Sequence, residues 1–137
     1  MPSSEPVLGR RAPLPASPEE ARLDTVANPH PGLLYLVRFT CPEFTALCPV
    51  TGQPDFATIT VTYVPNRLCV EMKSLKLYYF SYRNKGIFYE AVTNQILDDL
   101  VAVLKPRQMT VIGQFAVRGG TAGTVTANYP ASKPRRT

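Results

Sequence analysis

A cysteine and an aspartate lie seven positions apart in the stretch LCPVTGQPDF, residues 47–56. Cys48 offers a nucleophilic sulfur, and Asp55 offers a carboxyl group that can donate or accept a proton. Two prolines and a glycine between them disfavour a helix or a central strand, so we expect a surface loop with accessible side chains. An inert cysteine and a turn-forming aspartate are the alternative interpretation.

A second group of candidate residues lies in CVEMKSLKLYYF, residues 69–80. A predicted strand delivers Glu71, Lys73 and Lys76 to the start of a predicted helix with Ser74 as its N-cap. Lysines three residues apart share a helical face, and a helix start offers free backbone N–H groups. The pattern therefore indicates an anion site, unless these are ordinary surface lysines on a solvated face.

A third candidate is Glu90 in FYEAV, residues 88–92, at the start of a second predicted helix. The helix dipole favours a carboxylate in a first turn, which explains Glu90 without any function. In a functional interpretation, the Glu90 carboxylate accepts hydrogen bonds from two adjacent ring N–H groups, the pattern that a guanine-like edge presents.

The cysteines argue against a metal centre. Cys41, Cys48 and Cys69 cannot all pair within one chain, so at least one thiol is free. A zinc site formed by these cysteines and His30 is conceivable, but the spacings match no CxxC pattern. We therefore expect no metal, and the glycines of RGGTAG fit neither a dinucleotide-binding fingerprint nor a P-loop.

The elements that must position these residues follow from the hydrophobic pattern. LLYLVRFT (33–40) predicts a strand, and the loop CPEFTALCPVTGQP (41–54) follows it. FATITVTYV (56–64) alternates cleanly and predicts a hairpin with LCVEM (68–72). Its apolar face would consist of Ala57, Ile59, Val61 and Tyr63.

Two helices and a second hairpin complete the predicted domain. The first helix runs from Ser74 to a stop at Asn84 or Gly86. The second carries apolar residues at three- and four-residue steps, with its acidic residues facing away, and Pro106 ends it. The apolar positions are Val92, Ile96, Leu100, Val103 and Leu104, and the acidic ones are Asp98 and Asp99. The strands QMTVIGQFAV (108–117) and TVTANY (124–129) follow, joined by RGGTAG.

This order of elements predicts an α+β domain whose two helices cover one face of an antiparallel sheet. A four-stranded sheet of this kind has unpaired edges, which must be shielded or paired. We therefore expect a homo-oligomer in which subunits pair edge to edge.

Composition divides the chain into one domain with two flanking segments. Half of the fourteen prolines lie in residues 1–31, so we expect a flexible arm there, a domain over 32–130 and a basic tail over 131–137. The chain contains no apolar run long enough for a membrane span and no signal-peptide pattern. We expect a cytoplasmic, soluble protein.

The net charge of +5 raises the alternative of a basic RNA-binding module. Residues 25–129 hold nine basic and six acidic residues, so much of the charge lies in the terminal segments. No RNP-like pattern is present either. This modest excess favours a few cations serving an anionic ligand and no direct contact with nucleic acid.

The ordered set of motifs resembles the NADPH-dependent nitrile reductases of queuosine biosynthesis, the 7-cyano-7-deazaguanine reductases. EMKSLKLYYF resembles the signature helix of that family and LCPVTGQPDF its nucleophile loop. The resemblance continues through FYEAVTNQILDDL, the VRGG turn and the NY near the end, over residues 33–130 in the short, single-module form.

The resemblance implies a tunnelling fold, in which ββααββ subunits join their sheets and place active sites at subunit interfaces, as a decamer of two pentamers. It implies roles for nine residues. The implied roles are Cys48 as nucleophile, Asp55 as proton donor, Val70, Glu71, Met72, Tyr89 and Glu90 as substrate-binding residues, and Lys73 and Lys76 as NADPH-binding residues.

The implied reaction begins with addition of the Cys48 thiolate to the nitrile and protonation of its nitrogen by Asp55. The product is a covalent thioimide, which accepts hydride far better than a nitrile does. Two hydride transfers from two NADPH would then give the aminomethyl product. The implied substrate is a small deazaguanine, with no metal required.

One residue departs from the family pattern. Many members have a histidine before the glutamate that Glu90 matches, whereas this chain has Tyr89. A phenol donates a hydrogen bond but stays neutral at pH 7, so no role that needs imidazole protonation is possible there. The enzyme alternative, a pterin or GTP cyclohydrolase-like protein of the same fold, is disfavoured because its zinc-dependent version needs more His and Cys ligands.

Overall fold

The computed structural model describes residues 14–131. They form six strands, two α-helices and one short 3-10 turn, Pro18–Glu20. The strands are β1 Thr25–Ala27, β2 Val37–Leu47, β3 Pro54–Val64, β4 Leu68–Val70, β5 Gln108–Arg118 and β6 Thr121–Tyr129; the helices are α1 Met72–Phe80 and α2 Tyr89–Leu104. The main sheet is antiparallel in the order β2-β3-β5-β6, and β1 pairs with β4 separately.

Strand β3 sets the buried face of the main sheet, because its apolar and polar residues alternate. The apolar face is buried as expected: Ala57, Ile59, Val61 and Tyr63. Helix α2 lies over β5 and β6, and α1 lies against β2. The predicted stripe of α2 completes the core with Val92, Ile96, Leu100 and Leu104. The α+β class is confirmed, and the order of elements in and above the main sheet is ββααββ.

Two strand predictions are wrong. Residues 41–47 are not loop but continue β2, with a bulge between Cys41 and Phe44. Pro42 is tolerated there because β2 is an edge strand, where a missing N–H costs no ladder bond. The hairpin between 56–64 and 68–72 does not form either, since β3 pairs with β2 and β5 while β4 pairs with β1.

The expectation of a flexible arm through residue 31 is wrong for β1 and its flanks. The side chains of Asp24 and Asn28 are buried on either side of this strand. Asn28 donates to the Asn66 carbonyl through Nδ2 at 2.8 Å, so polar contacts anchor a segment that lacks apolar periodicity. Residues 1–13 of the expected arm and 132–137 of the expected tail lie outside the described residues.

The helix and turn limits differ from the predicted ones in ways that concern the site. Helix α1 begins two residues earlier than expected, with Glu71 rather than Ser74 as its N-cap. Strands β5 and β6 are joined by a two-residue turn rather than six residues, with Gly119 and Gly120 at φ 62° and 76°. Asp99, expected to face away, accepts a hydrogen bond from the Tyr78 hydroxyl at 2.5 Å.

No helix within residues 14–131 is long and apolar enough to cross a membrane.

Candidate active site

Cys48 lies directly after β2 in a short loop that its own backbone closes. The Cys48 N–H donates to the Gln53 carbonyl at 2.8 Å, and the Gly52 N–H donates to the Cys48 carbonyl at 2.9 Å. Gly52 has φ 73°, a conformation that glycine adopts without strain. The loop expected around Cys48 therefore exists, but it is limited to the residues between β2 and β3 and is held tightly.

The surroundings of the Cys48 thiol lower its pKa and so favour its ionised form. Hydrogen bonds from the Thr51 and Arg118 side chains, together with the backbone of Thr51 and Val50, lower the pKa of Cys48 to about 6. The side chain is 9% exposed, so it is sheltered but reachable. Because the thiolate is the nucleophilic form, this environment is that of a reactive cysteine.

Asp55 lies at the start of β3, opposite Ala46 of β2, and is buried. Its Oδ1 is 3.1 Å from Arg118 Nη2 in an ion pair. The same oxygen accepts a hydrogen bond from the Tyr89 hydroxyl at 3.4 Å. The carboxyl group is thus held from two sides through one oxygen.

Tyr89 begins α2 and is fixed by packing. Its ring stacks on Phe115 of β5, with ring centroids 3.9 Å apart and planes 10° apart. Its carbonyl accepts a hydrogen bond from Thr93 Oγ1 at 2.8 Å. Glu90 follows it and is exposed in the first turn of α2, so the two residues expected to bind substrate are adjacent, and Tyr89 is the one that contacts Asp55.

Arg118 belongs to this group, although the sequence analysis did not assign it. It ends β5 after a register shift between Phe115 and Arg118, directly before the glycine turn. A bulge of this kind re-aims a side chain, and Arg118 Nη1 donates to Gln53 Oε1 at 3.3 Å. The signal in the sequence was the cation in VRGG, at the end of a predicted strand.

The residues at the start of α1 form a separate group. The Glu71 carboxylate accepts from the backbone N–H groups of Lys73 and Ser74 at 2.9 and 2.7 Å. The sequence predicted that the backbone N–H groups at this helix start would bind an anion. They are instead occupied by the Glu71 carboxylate. Val70 is buried and Met72 is 38% exposed.

Within one chain, the group of residues around Cys48 and the group at the start of α1 do not contact each other. The hydrogen bonds of Glu71 go to α1 and to Asp24, whereas Asp55, Tyr89 and Arg118 contact one another and the Cys48 loop. Within residues 14–131, no hydrogen bond, ion pair or ring contact joins Glu71 to Cys48 or Asp55.

Lys73 and Lys76 lie exposed on the first turns of α1. Lys76 lines a cavity of about 200 Å³ between α1 and β2. The other lining residues are Cys41, Glu43, Phe44, Thr45, Tyr79, Phe80 and Arg83. The cavity thus has two cations, Lys76 and Arg83, beside aromatic side chains. This combination suits a phosphate-bearing ligand with a flat ring.

No cluster of three or more His, Cys, Asp or Glu side chains able to hold a metal ion occurs in the described part of the chain. Cys41, Cys48 and Cys69 are all unpaired.

Comparison with known proteins gives many close relatives. A 7-cyano-7-deazaguanine reductase, NADPH-dependent, of Chloroherpeton thalassium is 56% identical over 111 residues, which cover 81% of this chain and 96% of that protein. The same-named protein of Nitrosococcus oceani is 59% identical over 116 residues, 85% of this chain and 89% of that protein. That of Anaeromyxobacter sp. strain K is 60% identical over 107 residues, 78% of this chain and 88% of that protein.

The fold has a solved counterpart in the crystal structure of the archaeosine synthase QueF-Like in the apo form. The two superpose with a TM-score of 0.66 at 22% identity, over 72% of this chain and 96% of that one. The sequence profile described as QueF-like protein matches residues 54–134. Together with relatives of more than half identity along most of their length, this match shows that the chain belongs to the QueF family.

Proposed function

We propose that this chain is an NADPH-dependent 7-cyano-7-deazaguanine reductase, which converts the nitrile to an aminomethyl group in queuosine biosynthesis. The names of its relatives support this activity, since relatives at 52–60% identity share it. The observation that carries the proposal is the acidified Cys48 thiol in one polar group with Asp55.

The first step is addition of Cys48 to the nitrile carbon. The thiol proton passes to the Asp55 carboxylate, and the sulfur forms a bond to carbon while one carbon–nitrogen π bond breaks. The electron pair goes to the nitrogen, which takes the proton from Asp55. The thiol proton has then moved to nitrogen, and a neutral thioimide is attached to Cys48.

NADPH fits the residues at α1. Lys73 and Lys76 supply exposed positive charge for its phosphates, and the cavity beside Lys76 also contains Arg83. When bound, NADPH supplies hydride, and two molecules are needed to take a nitrile to an amine. The chain's part is to present the carbon on Cys48 and to keep water from hydrolysing the thioimide.

The substrate ring would lie against the start of α2. The exposed Glu90 carboxylate accepts two ring N–H groups of the deazaguanine, and Tyr89 positions the ring beside Asp55. Val70, Glu71 and Met72 would line the other side, through the backbone and the Met72 side chain in particular, because the Glu71 carboxylate serves α1.

The site is completed between subunits. Exposed apolar side chains flank each of its residues: Val50 in the Cys48 loop, Phe56 after Asp55, Phe88 before Tyr89 and Val117 before Arg118. Exposed apolar side chains are candidates for burial against another chain. We infer that a neighbouring subunit brings its own α1 group to the Cys48 site, as sheets join edge to edge into a homo-oligomer, in the family's arrangement a decamer of two pentamers.

The partners and compartment follow from the same proposal. The substrate is a free base, so no direct contact with nucleic acid is needed. Three unpaired cysteines agree with a reducing compartment, and we place the protein in the cytoplasm.

The activity is tested by adding 7-cyano-7-deazaguanine and NADPH to the full-length protein. We expect loss of NADPH absorbance that depends on the nitrile, with two NADPH consumed per aminomethyl product. Cys48→Ala is the matched control. No nitrile-dependent oxidation by a folded, assembled protein would refute the proposed reaction.

A further inference from the structure

We propose that Arg118 is a positioning residue that serves as the shared counter-ion of the site, placed between the Cys48 sulfur and the Asp55 carboxylate. This inference rests on the proposed function. Arg118 lies outside the motifs from which the other residues of the site were predicted.

The guanidinium group of Arg118 joins the two reacting segments. One nitrogen, Nη2, is 3.1 Å from Asp55 Oδ1 at the start of β3. The other, Nη1, donates to Gln53 Oε1 at 3.3 Å, and the Gln53 carbonyl accepts from the Cys48 N–H at 2.8 Å. A planar group with several fixed donors can hold a loop and a strand at a set distance, which a lysine cannot do.

The backbone around Arg118 explains how it reaches the site. The register of β5 and β6 shifts between Phe115 and Arg118, and the ladder resumes where Arg118 pairs with Thr121. Gly119 and Gly120 then turn the chain with positive φ. The bulge and the turn together direct the side chain over the Cys48 loop rather than along β5.

The charged and titratable groups around the Arg118 guanidinium come from the Cys48 loop and two further elements. Asp55 belongs to β3 and Tyr89 to α2, while Arg118 itself ends β5. Lys85, whose carbonyl binds the Leu47 N–H, has its ammonium group 3.5 Å from Glu19 instead. Among residues 14–131, Arg118 is thus the cation in contact with both reacting groups.

The charge of the group balances if one proton is shared between the two acids. In the proposed addition the thiol proton passes to the Asp55 carboxylate and then to the nitrile nitrogen. The negative charge is on Asp55 before this transfer, on the sulfur while Asp55 carries the proton, and on Asp55 again once the thioimide has formed. Arg118 lies beside both groups, so it faces one anion at each stage.

Both contacts that hold Asp55 are made to Oδ1, by Arg118 and by the Tyr89 hydroxyl. The proton is therefore exchanged at Oδ2, while Oδ1 keeps the carboxyl group in place. Loss of Arg118 then has two effects: a thiol that ionises at higher pH and an Asp55 that is held by Tyr89 alone.

The test measures alkylation of Cys48 by iodoacetamide against pH in the protein without substrate, with peptide mapping to separate Cys41 and Cys69. A lowered thiol pKa means that alkylation persists as pH falls and declines only near pH 6 in the wild type. In Arg118→Met the midpoint should rise by about one to two pH units, because an opposite charge nearby shifts a pKa by about that much. Arg118→Lys, which keeps the charge, should restore part of the shift.

Two controls separate this proposal from simpler explanations. Arg107→Met removes an exposed arginine elsewhere and should leave the midpoint unchanged. In an Asp55→Asn background, Arg118→Met should still raise the midpoint, because Arg118 acts on the sulfur directly. An unchanged midpoint in Arg118→Met, or a shift that disappears with Asp55→Asn, would overturn the shared counter-ion.

Alkylation of Cys48 is measured without the nitrile, so its result is distinguishable from a failure of nitrile reduction. If the wild type fails to form an adduct with the nitrile while Arg118→Met still shifts the alkylation midpoint, the proposed function fails and the pairing of Arg118 with the thiolate stands. If the wild type reduces the nitrile and the midpoint does not move, only the inference about Arg118 fails.

Discussion

At the scale of single residues, the site combines groups whose charges depend on one another. Cys48, Asp55 and Arg118 come from a loop and two strands, and Tyr89 from a helix, yet their polar atoms converge. A thiol with a pKa of about 6 is largely thiolate at neutral pH. That is the state which nitrile addition needs.

Asp55→Asn should leave the fold intact but slow the addition. The amide is nearly the same size, and the ion pair that it removes involves a partly exposed Arg118, so stability should change little. An amide does not carry the transferable proton, for which a loss of about 10²- to 10⁴-fold in rate is usual. Rapid-quench mass spectrometry of the nitrile adduct measures this step, and a rate near that of the wild type would transfer the role to another acid.

Tyr89→Phe and Glu90→Gln should differ in their effect on nitrile binding. Tyr89→Phe removes one hydroxyl, whose hydrogen bond to Asp55 is long at 3.4 Å, so affinity should fall by about two- to tenfold or less. Glu90→Gln turns one acceptor into a donor that faces a ring N–H, which should cost more. Calorimetry with the nitrile gives the order, and the reverse order would leave Glu90 as a helix-start carboxylate only.

The sequence was informative about the residues that lie close together along the chain. The segment from Cys48 to Asp55 and the adjacent Tyr89 and Glu90 could be selected from motif and spacing. Arg118 could not, because its place depends on the strand register and on a bulge that has no clear mark in the sequence. The pairing of side chains from β3, α2 and β5 exists only in the fold.

At the scale of elements, the start of α1 shows how one carboxylate can satisfy a helix. Glu71 accepts from the backbone N–H groups of Lys73 and Ser74, while Ser74 Oγ accepts from the Asp24 N–H at 2.9 Å. Periodicity alone placed the N-cap at Ser74. In the structure Glu71 accepts from these N–H groups, while the Ser74 hydroxyl donates to the Glu71 carbonyl and accepts from Asp24, so Ser74 is inside the helix rather than at its cap.

Glu71→Ala should destabilise the protein by about 0.5–2 kcal/mol, the usual cost of losing an N-cap. Two backbone N–H groups lose their acceptor at the end of a packed helix. Thermal melts at a fixed protein concentration measure the effect, with Asp98→Ala on the exposed side of α2 as the control. Equal melting temperatures for the two variants would show that the cap contributes nothing.

Gly113→Ala tests the packing that positions Tyr89. A Cβ at this position would lie 2.7 Å from Thr93 Oγ1 and 2.8 Å from Phe115 Cε2, too close for either. Phe115 stacks on Tyr89, and Thr93 donates a hydrogen bond to the Tyr89 carbonyl. We therefore expect the free energy of unfolding to fall by about 1–3 kcal/mol and the affinity for the nitrile to decrease. Denaturation and calorimetry together check this, and a fully stable variant with normal affinity would show that the packing adapts.

At the scale of the whole molecule, the α+β class and the unpaired sheet edges were predictable from periodicity and element order. The structure adds β1, which the proline-rich composition concealed, and the exposure of the apolar side chains of Val50, Phe56, Phe88 and Val117. Their exposure depends on how a loop, two strands and a helix start pack, so it could not be predicted from the sequence.

A subunit-mixing experiment tests whether the site is shared. Cys48→Ala lacks the proposed nucleophile, and Lys73→Ala with Lys76→Ala lacks the proposed phosphate partners, so each should be inactive alone. Coexpressed in one assembly, the two should regain activity, with roughly a quarter of the interfaces holding both intact groups under random mixing. If the mixed assembly stays as inactive as its parents, the two groups do not act across subunits.

The most direct test of the central claim is the mass of the intact protein after incubation with 7-cyano-7-deazaguanine in the absence of NADPH. The account predicts a mass increase of one nitrile molecule, located at Cys48 by peptide mapping, lost in Cys48→Ala and retained in Cys41→Ala and Cys69→Ala. An adduct that persists in Cys48→Ala, or an active wild type that never forms one, would contradict nucleophilic addition by Cys48.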